Sequence, residues 1–437
     1  MNEVSIKAAG KVACAAAASV LLWGASAQAA DLGGNCCADL EERIAELEAT
    51  TARKGNRKVS LAISGWVNEG VFFWDDGTEQ NAYVGTNSLE QTRFKFAGEA
   101  KIDNDWAAGY TIEVGIAGSP SSAFKQNGVG GSTITIRKSN WFLKSKTLGK
   151  LTVGLEGTAT YHLLDDADGA NTRNYSDAEA AAVGLGAFGV RVNGGPVQAA
   201  WTSFMGGFNN RTPGQSGRRN IVRYDTPTFA GFSATAAWGE DDMWDMALNY
   251  KGEVGDFKIT ARAGYGESSD PITNAQNCAQ TAVKVGDCQW WGAAGTVMHA
   301  PTGLYVYGGF GENEIEFFPG NPGLDDNSTM WFIQAGLERK FVPLGKTTIF
   351  GEYRNDDVGF TGTAFTGSNG AGTAIGSDFD FYALGVVQNI EAAAMDLYLI
   401  YRHNEGDITS KANVGGAVAT TGVDDLDMVI AGARIQF

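Results

Sequence analysis

From residue 59 to the end of the chain, apolar and polar residues alternate singly in stretches of about ten residues, the period of a β-strand with one face in an apolar medium and the other in water. Between Thr92 and Glu99, for example, Arg93, Lys95 and Glu99 share one face and Phe94 and Phe96 the other. In the final stretch Val429, Ala431, Ala433, Ile435 and Phe437 fall on one side, Arg434 and Gln436 on the opposite side. The pattern predicts about sixteen strands, near 59–74, 88–102, 106–117, 132–147, 150–158, 219–228, 230–240, 242–254, 256–267, 288–300, 303–315, 328–342, 346–359, 377–392, 395–408 and 425–437. Tight turns (103–105, 148–149, 229–231, 251–255, 301–302, 343–345, 393–394) alternate with long polar loops, and only the fourth of these, at Glu240-Asp241, is short. Short turns on one side and long loops on the other predict an all-β fold, a transmembrane antiparallel β-barrel. An even strand number brings the first and last strands together, which closes the sheet and removes edges that hydrocarbon does not tolerate. Aromatic residues near strand ends, among them Phe72, Phe73, Trp74, Trp141, Trp238, Trp244, Trp290, Trp291, Trp331, Tyr401 and Phe437, suit interfacial girdles.

Ahead of the strands the period changes. Cys37, Leu40, Ile44, Leu47 and Thr51 are spaced 3, 4, 3, 4, a coiled-coil seam, with Glu41, Glu42, Arg43, Glu46 and Glu48 on the other faces. About two heptads are too few to be stable alone, so the seam forms where something else holds several copies together. A solvated amphipathic helix lying on its own chain fits the same spacing. A basic linker, 52–58, follows. Residues 1–29 read as a secretory signal: Lys7 and Lys11, an apolar core from Val12 to Trp23, then Ala27-Gln28-Ala29 with cleavage after Ala29. The expected organisation is therefore a signal peptide at 1–29, a periplasmic coiled-coil-like segment and linker at 30–58, and the barrel at 59–437.

The formal charge is −17, and loss of Glu3, Lys7 and Lys11 with the signal makes it −18. Lys and Arg are scattered singly, which excludes a nucleic-acid binder. Export leaves Cys36, Cys37, Cys278 and Cys288. Cys278 and Cys288 flank a polar loop, and a disulfide between them is favoured over zinc, since no His lies nearby to complete a ligand set. No small-residue lipobox precedes Cys36 to direct a lipid anchor. Enzyme chemistry is not expected. The three His are at 162, 299 and 403, and although His162 lies beside Asp165 and Asp166, with Ser176 in the same loop, nothing in the spacing fixes a triad. Gly206-Gly207 and Gly308-Gly309 follow no phosphate-loop pattern. No cofactor and no metal are expected.

The segment from Cys36-Cys37 to Glu48, running into Lys58-Val59-Ser60-Leu61 and Ser64-Gly65-Trp66-Val67-Asn68, resembles the mature start of the alphaproteobacterial porins of the rhizobial and Brucella type. Gly217 to Pro227, Phe229-Ala230-Gly231-Phe232 and Trp238 to Asp242 extend the resemblance over nearly the whole chain, and Phe437 looks like the assembly signal of outer-membrane barrels. The resemblance implies a sixteen-stranded barrel in a homotrimer in the outer membrane, with a third extracellular loop folded inward to narrow a water-filled channel. The longest connection, 159–218, is the candidate loop, and it carries Asp165, Asp166, Asp168, Asp177 and Glu179. Strand parity places Arg93, Lys95, Arg219, Arg223, Arg262, Arg354, Arg402 and Arg434 on the wet face. The expectation is a constriction in which Asp165, Asp166 and Asp168 face Arg93 and Lys95 across a transverse field; for any single Arg, a salt bridge that only supports the barrel wall is the commoner role.

The expected function is passive diffusion of small hydrophilic solutes and ions, with a weak cation preference from the net charge. Acids such as Asp75, Asp76, Asp325, Asp326, Asp356, Asp357, Asp424 and Asp425 belong to external loops, where they are solvated or bridge divalent cations to lipopolysaccharide. The alternatives are a sugar-specific channel, with Trp66 or Tyr398 as a lumenal slide, and a surface adhesin on a barrel scaffold.

Overall fold

A computed structural model describes residues 59–173, 184–205, 217–239, 243–268, 284–317 and 324–437. The expected signal peptide, the seam Cys37, Leu40, Ile44 and Leu47, the basic linker, Asp177, Glu179 and Cys278 lie outside these residues.

Among the described residues there are nineteen strands: Ala62–Asp75 (β1), Gln80–Thr86 (β2), Arg93–Lys101 (β3), Trp106–Ala117 (β4), Thr133–Ser145 (β5), Gly149–Gly157 (β6), Arg218–Asp225 (β7), Phe232–Gly239 (β8), Met243–Val254 (β9), Phe257–Ser268 (β10), Lys284–His299 (β11), Leu304–Phe317 (β12), Asn327–Val342 (β13), Gly345–Val358 (β14), Ala364–Gly367 (β15), Gly370–Ile390 (β16), Met395–Ala412 (β17), Val418–Gly422 (β18) and Leu426–Gln436 (β19). Sixteen of them form one closed antiparallel ring, each paired with its neighbours in sequence. The other three, β2, β15 and β18, extend the sheet on the long-loop side, where they pair with the outer ends of β1, β16 and β17. Closure runs from Trp66 opposite Gln436 to Asp75 opposite Asp427. The last residue completes it, since Gly65 and Phe437 exchange backbone hydrogen bonds of 2.9 and 3.0 Å. Among the described residues, each of the sixteen ring strands is paired on both sides.

The short turns are held by local chemistry. Asp103 accepts the N–H groups of Asp105 and Trp106, both at 2.8 Å, and these bonds hold its carboxyl below the usual range. Gly303 sits at φ +78°, where a Cβ would lie 1.9 Å from the Glu338 carbonyl oxygen, so only glycine fits this turn.

The two faces of the wall differ as the alternation requires. On β17, Leu397 and Leu399 are 42% and 50% exposed, whereas the intervening Tyr398 and Ile400 are 4% and 0% exposed. Outward rings form a row near the long-loop side: Trp331 to Tyr353 at 5.0 Å, Tyr353 to Tyr382 at 5.1 Å, Tyr382 to His403 at 6.0 Å. Phe72, Trp74 and Trp290 do not join a girdle. Their parity points them inward, where they are buried, while the adjacent Phe73 and Trp291 face out.

The inner face is not uniformly wet. Phe72, Tyr307, Phe332, Phe379, Ile400 and Ile430 point inward and form one buried cluster with Leu163, Leu164, Leu185, Phe188, Trp201 and Phe204 of the 158–217 connection. Burial of each such side chain stabilises by about 1.5–3 kcal/mol, which fastens the loop inside the cylinder.

Candidate functional site

The loop starts where β6 ends. Asp245 on β9 accepts the N–H groups of Ala159 and Thr160 at 2.9 and 2.8 Å and the Thr160 hydroxyl at 2.7 Å. A 3-10 turn, Asp165–Ala167, then rests on the wall: Tyr307 donates to the Leu164 carbonyl at 2.8 Å and Thr296 to that of Ala167 at 2.6 Å. Further on, the Thr172 hydroxyl lies 3.0 Å from Gln334 and the Asn171 amide donates to Asp396 at 3.1 Å. The second described stretch is tied to the first and last external loops. Arg191 pairs with Asp76 and Glu79, both at 2.8 Å, and Asp424 accepts the N–H groups of Asn193 and Gly194 at 2.8 and 2.7 Å. Ser377 on β16 donates to the Phe204 carbonyl at 2.7 Å. The described part of the loop thus follows the inner wall from β9 round to β1. It meets the arc β3–β7 at its root, where Arg223 donates to the carbonyls of Gly157 and Thr158 at 2.9 and 3.1 Å.

The loop acids are engaged close to home. Asp165 meets His162 at 2.6 Å and Arg173 at 3.1 Å; Asp166 bridges Arg173 and Arg262, both at 2.7 Å. Asp168 folds back onto its own loop, accepting from the backbone of Ala170 and Arg173 and from the Thr172 hydroxyl at 2.7, 2.9 and 2.7 Å. Desolvation nevertheless pushes its pKa up to about 6. The structure therefore brings Asp166 to Arg262. It does not pair these acids with Arg93 and Lys95, which stand on β3.

The eight wet-face bases all point into the barrel, but in two groups. Arg354, Arg402 and Arg434 are 1%, 3% and 6% exposed and are matched by Asp356 at 2.6 Å, Glu352 at 3.6 Å and Asp396 at 3.4 Å. They lie on the arc that the loop covers: a Cβ on Gly184 would come within 2.2 Å of the Arg402 guanidinium. Arg93, Lys95, Arg219 and Arg223 stand on the arc β3–β7, and Arg262 on β10 faces the loop turn. Arg93 reaches Glu90 at 3.2 Å and Glu113 at 3.4 Å and stacks 4.6 Å over Trp66; Arg223 holds Asp225 at 2.8 Å.

Parity missed Arg137 and Lys138. A bulge in the β4–β5 pairing, between Glu113 and Val114, turns both consecutive bases inward, where Arg137 meets Glu113 at 2.8 Å and Lys138 pairs with Glu156. Two adjacent bases in a strict alternation were the only signal. Trp66 and Tyr398 do point into the lumen, but Trp66 lies beneath Arg93 and Arg434, and Tyr398, 4% exposed, donates to Asn68 at 2.9 Å. Neither presents a free ring to a sugar. Cys288 is disulfide-bonded, with its partner outside the described residues. Among the described residues, His403, Glu405 and Asp425 bring possible metal-ligating atoms within 4.8 Å of one another, on the outer face rather than in the lumen.

The family model for Gram-negative porins matches residues 13–409. The chain belongs to that family. The porin's fold recurs in the anion-selective porin from Comamonas acidovorans, with 15% identity over 87% of this chain and 100% of that one and a TM-score of 0.55. It recurs also in OmpT of Vibrio cholerae, with 14% identity over 88% and 99% of the two chains and a TM-score of 0.52, and in a trimer form of OmpT at 16%, 87%, 99% and 0.52. At such identities the likeness is one of fold. No curated protein matches the porin. Family and closed barrel together make it an outer-membrane channel protein.

Proposed function

We propose that this porin is a passive diffusion channel for small hydrophilic solutes and ions, without catalytic chemistry, and that it works as a homotrimer of the rhizobial and Brucella type. The observation that carries the reading is a loop packed inside a closed barrel along one arc of the wall, opposite an arc, β3–β7, on which Lys95, Lys138 and Arg223 stay part-exposed. Such a lumen narrows the path while charge and width sort the solutes. The trimer form of the Vibrio cholerae protein and the heptad of residues 37–51 support the assembly, and acids on the external loops suit divalent bridges to lipopolysaccharide. The net charge of −17 favours cations weakly, because much of it sits on external loops screened by salt; charges beside the path weigh more. Liposome swelling tests the reading. Permeation that falls steadily with sugar size supports it, whereas no swelling, or swelling that saturates for one sugar, contradicts it. Cross-linking of unheated protein should give a ladder ending at three subunits.

A further inference from the structure

The channel reading leaves open which solutes the lumen favours, and the arc β3–β7 carries that information. One row of side chains crosses five strands at a common height: Lys95 opposite Glu113, Glu113 opposite Lys138, Lys138 paired with Glu156, Glu156 opposite Arg219. Bases and acids alternate along it, but the compensation is uneven: Lys138 is paired with Glu156, whereas Lys95 is not paired with Glu113. The bulge at Arg137 and the approach of Arg93 put two guanidinium groups on Glu113, at 2.8 and 3.4 Å. Glu113 is consequently spoken for, and the side chain of Lys95, which faces it in register, makes no hydrogen bond or ion pair with any described residue.

Exposure sharpens the asymmetry. Glu113 and Glu156 are only 7% and 8% exposed, behind their basic partners. The Lys138 side chain keeps 29% of its surface, and Lys95 is likewise half-buried rather than covered. Two acids that do reach water on the inner side are held: Asp225 by Arg223 at 2.8 Å, Asp166 by Arg173 and Arg262 at 2.7 Å. A solute passing along this wall meets ammonium groups, and the carboxylates lie behind them.

Resting on the channel reading, we propose that the lumen favours anions, small inorganic and carboxylate or phosphate-bearing solutes, against the sign of the whole chain, and that Lys95 and Lys138 set this preference. Lys95 is the primary contact, because no described acid neutralises it. The bulge residue Arg137 acts as a positioning residue: it occupies Glu113 and so leaves Lys95 for the solute.

The test is the zero-current potential of purified wild-type porin in a planar bilayer under a tenfold KCl gradient. The expected sign is that of chloride preference. Lys95→Glu combined with Lys138→Glu should reverse it. Lys95→Glu alone should lower the chloride-to-potassium permeability ratio about fivefold, less than an unscreened two-unit charge change a few ångströms from the ion path would give in water, because salt screens it. Arg137→Gln should lower the ratio less, by releasing Glu113 toward Lys95. Asp325→Asn with Asp326→Asn, on an external loop, should leave it unchanged. Potassium preference in the wild type, or a ratio unmoved by Lys95→Glu, overturns the inference while leaving the channel intact. A bilayer with no step currents overturns the channel reading and the inference with it.

Discussion

Asp76→Asn is the sharpest probe of how the inward loop is held. Asp76 lies at the outer end of β1, 4% exposed, and accepts from Arg191 at 2.8 Å, Gln126 at 3.1 Å and the backbone of Thr78 and Glu79 at 3.1 and 2.8 Å. Burial alone would raise its pKa, but the Arg191 guanidinium and these donors hold it below the ordinary carboxylate value. The amide keeps most of the turn and removes the charge. Arg191, itself 6% exposed, is then left with Glu79 and the Gly195 carbonyl. Stripping one partner from a buried pair costs about 3–5 kcal/mol; with two partners remaining, the low end applies, about 3 kcal/mol. That raises the population in which residues 189–200 leave the wall by roughly a hundredfold. Amide hydrogen exchange at Val190 and Trp201, whose N–H groups bond to Ala199 and Phe188 at 3.0 and 2.9 Å, should accelerate accordingly. The pH dependence has a definite sign. A depressed folded-state pKa gives stability that is present above the unfolded value, about 3.8, and lost as pH falls through the folded one, so the wild type should approach the variant only in that acid range. Exchange unchanged by Asp76→Asn at neutral pH would refute the clamp.

Other perturbations address the remaining anchors. Asp245→Ala leaves the buried N–H groups of Ala159 and Thr160 without their acceptor, at about 1–3 kcal/mol each, and should lower the melting temperature in detergent; an unchanged melt would show that the loop root bears no load. Gly303→Ala forces a Cβ to 1.9 Å from the Glu338 carbonyl, so the heat-modifiable band on a gel should convert at a lower temperature than wild type. Asp168, raised to about 6, contributes stability present below about 3.8 and lost as pH rises through 6; Asp168→Asn should therefore flatten the melting temperature between pH 4 and 7, and equal slopes would contradict its burial.

The sixteen barrel strands were legible because a dyad pattern is read from one residue to the next and needs no partner. The extensions β2 and β15 were not: Gln80–Thr86 and Ala364–Gly367 are short, polar and glycine-bearing, and they pair only because a neighbouring strand projects beyond the ring. Inward apolar residues such as Ile400 and Ile430 break the simple division into oily outside and wet inside, since the buried cluster they join includes Leu164 and Trp201, from a loop distant in sequence. The inward orientation was legible by parity for Arg93, Lys95 and Arg223. It was hidden for Arg137 and Lys138, because a bulge resets parity without leaving a mark of its own. Nor does parity tell a base under the loop, such as Arg402, from one beside the water path.

Cysteine accessibility tests the arrangement most directly. In a background with Cys36 and Cys37 replaced by Ser, Lys138→Cys, Ile400→Cys and Leu248→Cys would each be exposed to a charged methanethiosulfonate during single-channel recording. Lys138→Cys, on the open arc, should react with a stepwise fall in current; Ile400→Cys beneath the loop and Leu248→Cys on the lipid face should stay silent. Reaction at Ile400→Cys with none at Lys138→Cys would place the water path along the opposite wall and contradict the account.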